Sequence, residues 1–369
     1  NPPRLLCHVM DNRLPVMSRL LILFPCSHMG NLLIALPHLR AMLAAHPESL
    51  LMVNQRYQTL VEQSLPGESR LLYYPEQSLS RQVPLFQRVH SYLKLVMTMR
   101  RFHSKVVVDI EGEQKSATLA RLSGAAERIG PHRRHGQWFY TQQPQVDWSG
   151  HRWQAYASLS RPAASSPAHY LPLNDSPAGQ AELDSILSDG PANDNLVAIH
   201  AGATKTYKIW HAEQFAALCQ QLRRAGLTPL LIGAGQKDRQ QIARIQSFLS
   251  DPVMDLCDQL SLAGLVALLK RSRGFIGNDS GPMHLAAACG VATVALFGPT
   301  DDTLWQPLSP HARVLRWQHC LRNCERSSCA LDSYPCLQRI TVDRVIRTLD
   351  ELGVMPDAHL GALKTLRIS

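Results

Sequence analysis

The most constraining feature of this chain is a run of five apolar residues, "LLILF" at 20–24, that turns near Gly30 and runs into the helix-like "NLLIALPHLRAMLAAH". A strand apolar at every position has no solvent face and must be covered on both sides. The same alternation continues. "SLLMVN", "RLLYYP", "KVVVDI" and the short "ERIGPHRR" read as further strands, and "RYQTLVEQSL", "VPLFQRVHSYLKLVMTMRRF" and "QKSATLARLSGA" as the helices between them. This order predicts a parallel sheet with helices on both faces. Residues 161–195 turn rich in Pro, Ala, Ser, Asp and Gly and read as an inter-domain connection. The alternation then restarts, with "LVAIHAG", "TPLLIGAG", "GFIGND" and "TVALFGP" as strands among amphipathic helices. The chain is therefore read as α/β, with two doubly wound domains whose strand ends face a cleft, where ligands bind in such sheets. The boundaries read as 1–16 for an N-terminal extension, 17–175 and 190–345 for the domains, and 346–369 for a helical tail.

Charge narrows the partners. The 369 residues carry 38 Lys and Arg against 29 Asp and Glu, a formal net charge of +9. That favours a nucleic acid, an anionic membrane surface or a phosphorylated ligand. No helix-turn-helix, RNP or zinc-finger spacing is present, so nucleic acid is set aside. No apolar run approaches the roughly 20 residues that span a bilayer. "LLILF" is too short for an export signal, which makes a cytoplasmic location the expectation.

The most informative run is "GFIGNDSGPMHLAAACGVATVALFGPTD", residues 274–301. A buried strand ends at Asp279, Ser280 and Gly281 turn, and Pro282 suits the first turn of a helix. Gly281 permits close approach of a ligand, and free N–H groups at the helix start favour an anion such as a diphosphate. Asp279 and Ser280 are equally suited to cap an ordinary helix. As a whole the run resembles the signature of the ADP-heptose:lipopolysaccharide heptosyltransferases, glycosyltransferase family 9. "HAGATKTYKIWHAEQFAAL" at 200–218 resembles that family's diphosphate-holding loop through Thr204, Lys208 and Trp210, with His211 where proline is common. "LIGAGQKDR" resembles its next strand and loop, which makes Asp238 the candidate for the donor ribose. "VVVDIEGEQKSATLARLSGAAERIG" and "GHRWQAYASL" extend the resemblance over nearly the whole chain from Met17 to about Leu352.

The resemblance implies the GT-B fold, an inverting transfer from ADP-heptose to a phosphorylated lipopolysaccharide core, and no catalytic metal. The donor site would comprise Thr204, Lys208, Asp238, Asp279, Ser280, Gly281 and His284. Lys208 would stabilise the leaving diphosphate. The first domain would take the acceptor. Arg133 and Arg134 are the best placed of its basic residues, and a basic surface would attract the acceptor and the inner face of the inner membrane, with the protein peripheral there.

One position departs from the family. The turn after the first strand usually carries Gly-Asp, the aspartate being taken as the base; here the pair is Gly30-Asn31, and an amide takes no proton. Four explanations are open. Another carboxylate acts, Asp109 first, with Glu111 and Glu113 behind it. The change is deliberate, made to trap a complex. The chain is a non-catalytic relative. Or the aspartate is dispensable in this branch. Asp109 is equally suited to anchor a strand-end turn.

Of nine cysteines, Cys320, Cys324, Cys329 and Cys336 crowd into seventeen residues, "CLRNCERSSCALDSYPC". Four thiolates could hold a structural zinc or iron, although the pairs lack the common Cys-x-x-Cys spacing. Disulfides and buried thiols are the alternatives.

Overall fold

The computed structural model describes residues 19–132, 136–160, 167–188, 195–317 and 335–356. The first domain runs β1 (Leu20–Phe24), α1 (Met29–Ala45), β2 (Ser49–Asn54), α2 (Gln58–Ser64), β3 (Leu71–Tyr74), α3 (Leu85–Arg101), β4 (Val106–Asp109), α4 (Gln114–Leu122) and β5 (Glu127–Ile129), with α5 (Arg152–Ser160) returning to pack on α1. Its five strands are parallel in the order β3-β2-β1-β4-β5.

After α6 (Pro177–Leu187) the second domain runs β6 (Leu196–His200), α7 (Ala212–Arg224), β7 (Thr228–Ile232), α8 (Gln236–Gln246), β8 (Met254–Asp255), α9 (Leu262–Arg271), β9 (Gly274–Asn278), α10 (Gly281–Ala288), β10 (Ala292–Leu296), α11 (Asp302–Trp305), β11 (Ala312–Leu315), α12 (Pro335–Gln338) and α13 (Val342–Glu351). Its sheet order, β11-β10-β9-β6-β7-β8, is again parallel. Counted from each domain's first strand, both sheets are wound alike: the chain moves outward on one side, then crosses to the other. The crossing point lies between β1 and β4 in one sheet and between β6 and β9 in the other.

Three apolar layers account for the strand composition. Leu21 and Leu23 of β1 face an outer layer, while Leu20, Ile22 and Phe24 face a middle layer. That middle layer runs on without a break through α1 to Met283 and Leu285 of α10 and to Leu196 and Ala198 of β6. Val197 and Ile199 face a third layer beyond. The domains therefore share a core, and "LLILF" is apolar throughout because it lines two layers at once.

Two segments differ from the sequence reading. The stretch 161–195 is more than a connection, because it contains α6. Ser176 caps this helix by accepting from the Gly179 N–H, and α6 packs along α9. Its polar side chains hold that position: Glu182 accepts from the Ser261 N–H at 2.7 Å, and Lys270 and Arg271 pair with Asp175 and Asp184. The tail also starts earlier than residue 346. α13 packs on α7, and Leu349, Val354 and Met355 are buried in the third layer. The proposed extension at 1–16 lies outside the described residues.

Candidate active site in the cleft

The two crossing points face each other. Loops leaving β1, β4, β6 and β9 line one cleft of about 1830 Å³, roughly twice the upper end of common small-molecule sites and spacious enough for two substrates. Two glycines let the helix starts meet. A Cβ on Gly30 would lie 2.5 Å from the His284 ring, and one on Gly281 would lie 2.9 Å from the tip of Met29. The first turns of α1 and α10 thus abut, from opposite domains.

On the second-domain side, Lys208 Nζ donates to Asp279 Oδ2 at 2.7 Å. Asp279 directly follows β9 with its side chain almost wholly buried, so it holds the ammonium at the cleft wall. The loop carrying Lys208 is anchored by Trp210, which is fully buried and donates its indole N–H to the Ile340 carbonyl at 3.0 Å. Asn278 Oδ1 accepts from the Trp210 N–H, and its amide donates to the carbonyls of Ala201 and Gly202. Thr204 is exposed in the same loop.

Ser280 does not cap α10. Its hydroxyl donates to the Asn278 carbonyl and lies 3.1 Å from His200 Nδ1, while His200 Nε2 lies 3.2 Å from Asp238 Oδ2. That frees the helix start from its own side chain and leaves its N–H groups toward the cleft. Burial alone would raise the Asp238 carboxyl. The hydrogen bond and charge of His200, with the Ala234 N–H, outweigh that and hold it below the usual range. One Asp238 oxygen is therefore already engaged within the protein. His284 is buried at the junction of the domains, and burial lowers its imidazole to about 4. Tyr170 accepts the Leu308 N–H, and its hydroxyl is hydrogen-bonded to His284 Nδ1 at 2.7 Å.

On the first-domain side, Asn31 lines the cleft. Asp109 does not, which corrects its candidacy as the base. It is 0% exposed, its Oδ1 accepts the N–H groups of Glu111 and Gly112, and its Oδ2 accepts the Tyr140 hydroxyl at 2.6 Å. Burial raises its carboxyl despite these bonds. Asp109 is the anchor of the β4–α4 turn. That turn in place presents Glu111 and Glu113 to the cleft. Glu111 is 9% exposed. Burial, opposed by Lys115 and reinforced by Asp109, raises its carboxyl to about 7. Lys115 Nζ in turn donates to the Pro25 carbonyl and to Ser27, tying α4 to the β1–α1 turn.

Sequence reasoning missed His200, the polar last residue of an otherwise apolar strand, which is a readable signal. It named Glu111 only behind Asp109. Arg133 and Arg134 lie outside the described residues, as do Cys320, Cys324 and Cys329. Cys336, on α12, is buried in the third layer. Among the described residues no group of three His, Cys, Asp or Glu is placed to hold a metal.

Two alike-wound α/β domains whose crossing points face one cleft form the GT-B fold. The family model for glycosyltransferase family 9 (heptosyltransferase) matches residues 92–334, and the chain belongs to that family. It is 24% identical to lipopolysaccharide heptosyltransferase 3 of Escherichia coli over 289 residues, covering 76% of this chain and 84% of that one. Its fold matches the E. coli ADP-heptose lipopolysaccharide heptosyltransferase II (TM-score 0.74, 22% identity, 91% of this chain and 98% of the other). It also matches a family 9 glycosyl transferase from Veillonella parvula (TM-score 0.79, 20% identity, 92% and 99%).

Proposed function

We propose that this enzyme transfers a heptose from ADP-heptose, with inversion, to a hydroxyl of a phosphorylated lipopolysaccharide core on the cytoplasmic side, and that Glu111 is its base. The observation that carries this reading is the division of labour across the cleft: a clamped Lys208 and an open helix start on one wall, and a carboxyl raised to about 7 on the other. The relatives named for heptose transfer support the substrates. The acceptor oxygen bonds to C1 of the sugar as its proton passes to the Glu111 carboxylate. The bond from C1 to the diphosphate breaks, and its electron pair leaves with ADP. Lys208 and the α10 N–H groups stabilise that charge where it develops. A base with a pKa near the working pH is well matched to the task. Thr204 and Asp238 lie where donor contacts are proposed, with Asp238 reaching the ribose through its remaining acceptor sites. Arg133 and Arg134 are proposed acceptor contacts. A zinc or iron at the four cysteines, if the purified protein carries one, is proposed as structural, since the transfer draws on protein groups for charge and proton.

The test is ADP release from ADP-heptose in the presence of a lipopolysaccharide core acceptor. Glu111→Gln is expected to lower kcat by about 10²- to 10⁴-fold while ADP still binds. Absence of transfer by the parent protein, together with absence of ADP and donor binding, would overturn the reading. Asn31 favours a second reading, a non-catalytic relative. It predicts ADP binding without turnover even after Asn31→Asp, whereas turnover gained by that substitution would assign the lost base to position 31. Other nucleotide sugars and protein acceptors are tested in the same assay.

A further inference from the structure

Helix α3 carries two apolar faces where packing requires one. Leu95 and Met99 are buried, and Tyr92 and Val96 pack beside them against the outer face of the first sheet. The other apolar face points away from the protein. Phe86, Val89, Leu93 and Met97 recur at intervals of three and four residues, so they form one stripe along the helix. They are 72%, 48%, 54% and 51% exposed, and Leu85 at the helix start is 69% exposed. Five of the seven large apolar side chains that the described residues leave exposed therefore sit on this single helix. Scattered exposed apolar residues are ordinary, but a contiguous stripe marks a contact surface.

Charge says what it contacts. His90, Lys94 and Arg101 follow the stripe along the neighbouring row of the helix. From Arg81 to Lys105 there are six Lys and Arg residues and no Asp or Glu, a large part of the chain's net +9. A second copy of this chain would bring the exposed cations beside the stripe, Lys94 and Arg101 among them, against their own copies, so a symmetric self-contact through this face is disfavoured. An anionic surface is complementary. At 17 residues the helix is about 25 Å long, and among the described residues no helix is long and apolar enough to cross a membrane. A helix with an apolar stripe edged by cations is suited to lying in the plane of a bilayer interface.

We propose that the outer face of α3 docks on an anionic bilayer surface. Phe86, Leu93 and Met97 enter the boundary between headgroups and acyl chains, while Lys94, Arg101 and their neighbours meet the lipid phosphates. This places the outer face of the first domain against the membrane.

The test is co-sedimentation of the full chain with vesicles that contain neither nucleotide nor sugar acceptor, so its outcome is separate from that of the transfer reading. Binding is expected to phosphatidylethanolamine–phosphatidylglycerol vesicles, roughly tenfold weaker to phosphatidylcholine vesicles, and to weaken with added salt. Phe86→Glu with Leu93→Glu should lower binding at least about tenfold, with an unchanged thermal melt because both side chains are already exposed. Lys94→Glu with Arg101→Glu should remove the preference for anionic lipid. No binding by the parent chain, or equal binding by the Phe86/Leu93 variant, overturns the proposal. So does a dimer in sedimentation velocity that the Phe86/Leu93 variant dissociates, because the stripe would then be a self-interface.

Discussion

The two crossing points of the sheets are built alike and equipped differently. Each places a helix start against the other through a glycine, Gly30 on His284 and Gly281 on Met29. In the second domain the proposed donor contacts gather at the crossing-point turn: Asp279 clamps Lys208, and Ser280 is tied through His200 to Asp238. In the first domain that turn brings Ser27, His28 and the amide of Asn31 to the cleft but no carboxylate, and Glu111 and Glu113 reach it from the neighbouring strand end. β1 and β4 are paired strands, so their end loops share one crevice. Stabilising a diphosphate takes a fixed cation and fixed N–H groups. Accepting a proton takes only a carboxylate of suitable pKa within reach, and two adjacent loops can supply it. On the proposed reading, the acceptor wall keeps its function while its key residue moves one strand over.

The comparison is broken most severely by Lys208→Ala. The substitution removes the cation and leaves Asp279 buried without its partner, and kcat/KM for ADP release should fall about 10²- to 10³-fold. A loss below about tenfold would mean the helix start alone carries the donor side. Next is the pH dependence of the junction. Burial lowers His284 from 6.5 to about 4. Between those values the unfolded chain binds the proton and the folded chain does not, so stability is full above 6.5 and is lost as pH falls toward 4. The loss is about 3 kcal/mol, read by urea unfolding across that range. His284→Gln should make that part of the profile shallower without removing it, because burial lowers His38 to about 4 as well. Asp109→Ala should be smaller, costing about 2 kcal/mol in urea unfolding because it removes the acceptor of the Tyr140 hydroxyl bond and of two backbone N–H bonds. The rate per folded molecule should stay within about tenfold. A full loss of rate at unchanged stability would return Asp109 to the chemistry and remove Glu111 from it.

Much of this is legible in the sequence alone. Every strand with a continuous apolar core was readable, because burial on both faces leaves no other composition. β8, two residues long, and β11, with its exposed Arg313, were not, since neither has a pattern to read. α6 has a loop-like composition, and its helix depends on the cap at Ser176 and on ion pairs from α9, contacts no local window contains. Within the site, Lys208, Asp279, Ser280, Gly281 and His284 came from one dense motif and one loop. Asp109 and Glu111 could not be told apart in "VVVDIEGE". Which one turns inward is decided by Tyr140, thirty-one residues away, whose hydroxyl claims Asp109.

The smallest expected effects separate the two glycines. Alanine at 30 would press its methyl on the His284 ring at 2.5 Å, and that ring is held by Tyr170, so α1 or α10 must shift. Overpacking of this kind costs about 1–3 kcal/mol. Alanine at 281 meets the terminal methyl of Met29, which can rotate away, and Met29 Cβ at 3.2 Å, which needs only a shift of a few tenths of an ångström. Its cost should be under about 1 kcal/mol, partly offset by the better helix propensity of alanine. Urea unfolding of both variants measures the difference. A larger loss from Gly281→Ala would show that the rigid partner at the domain junction is the methionine turn of α1, and that His284 yields.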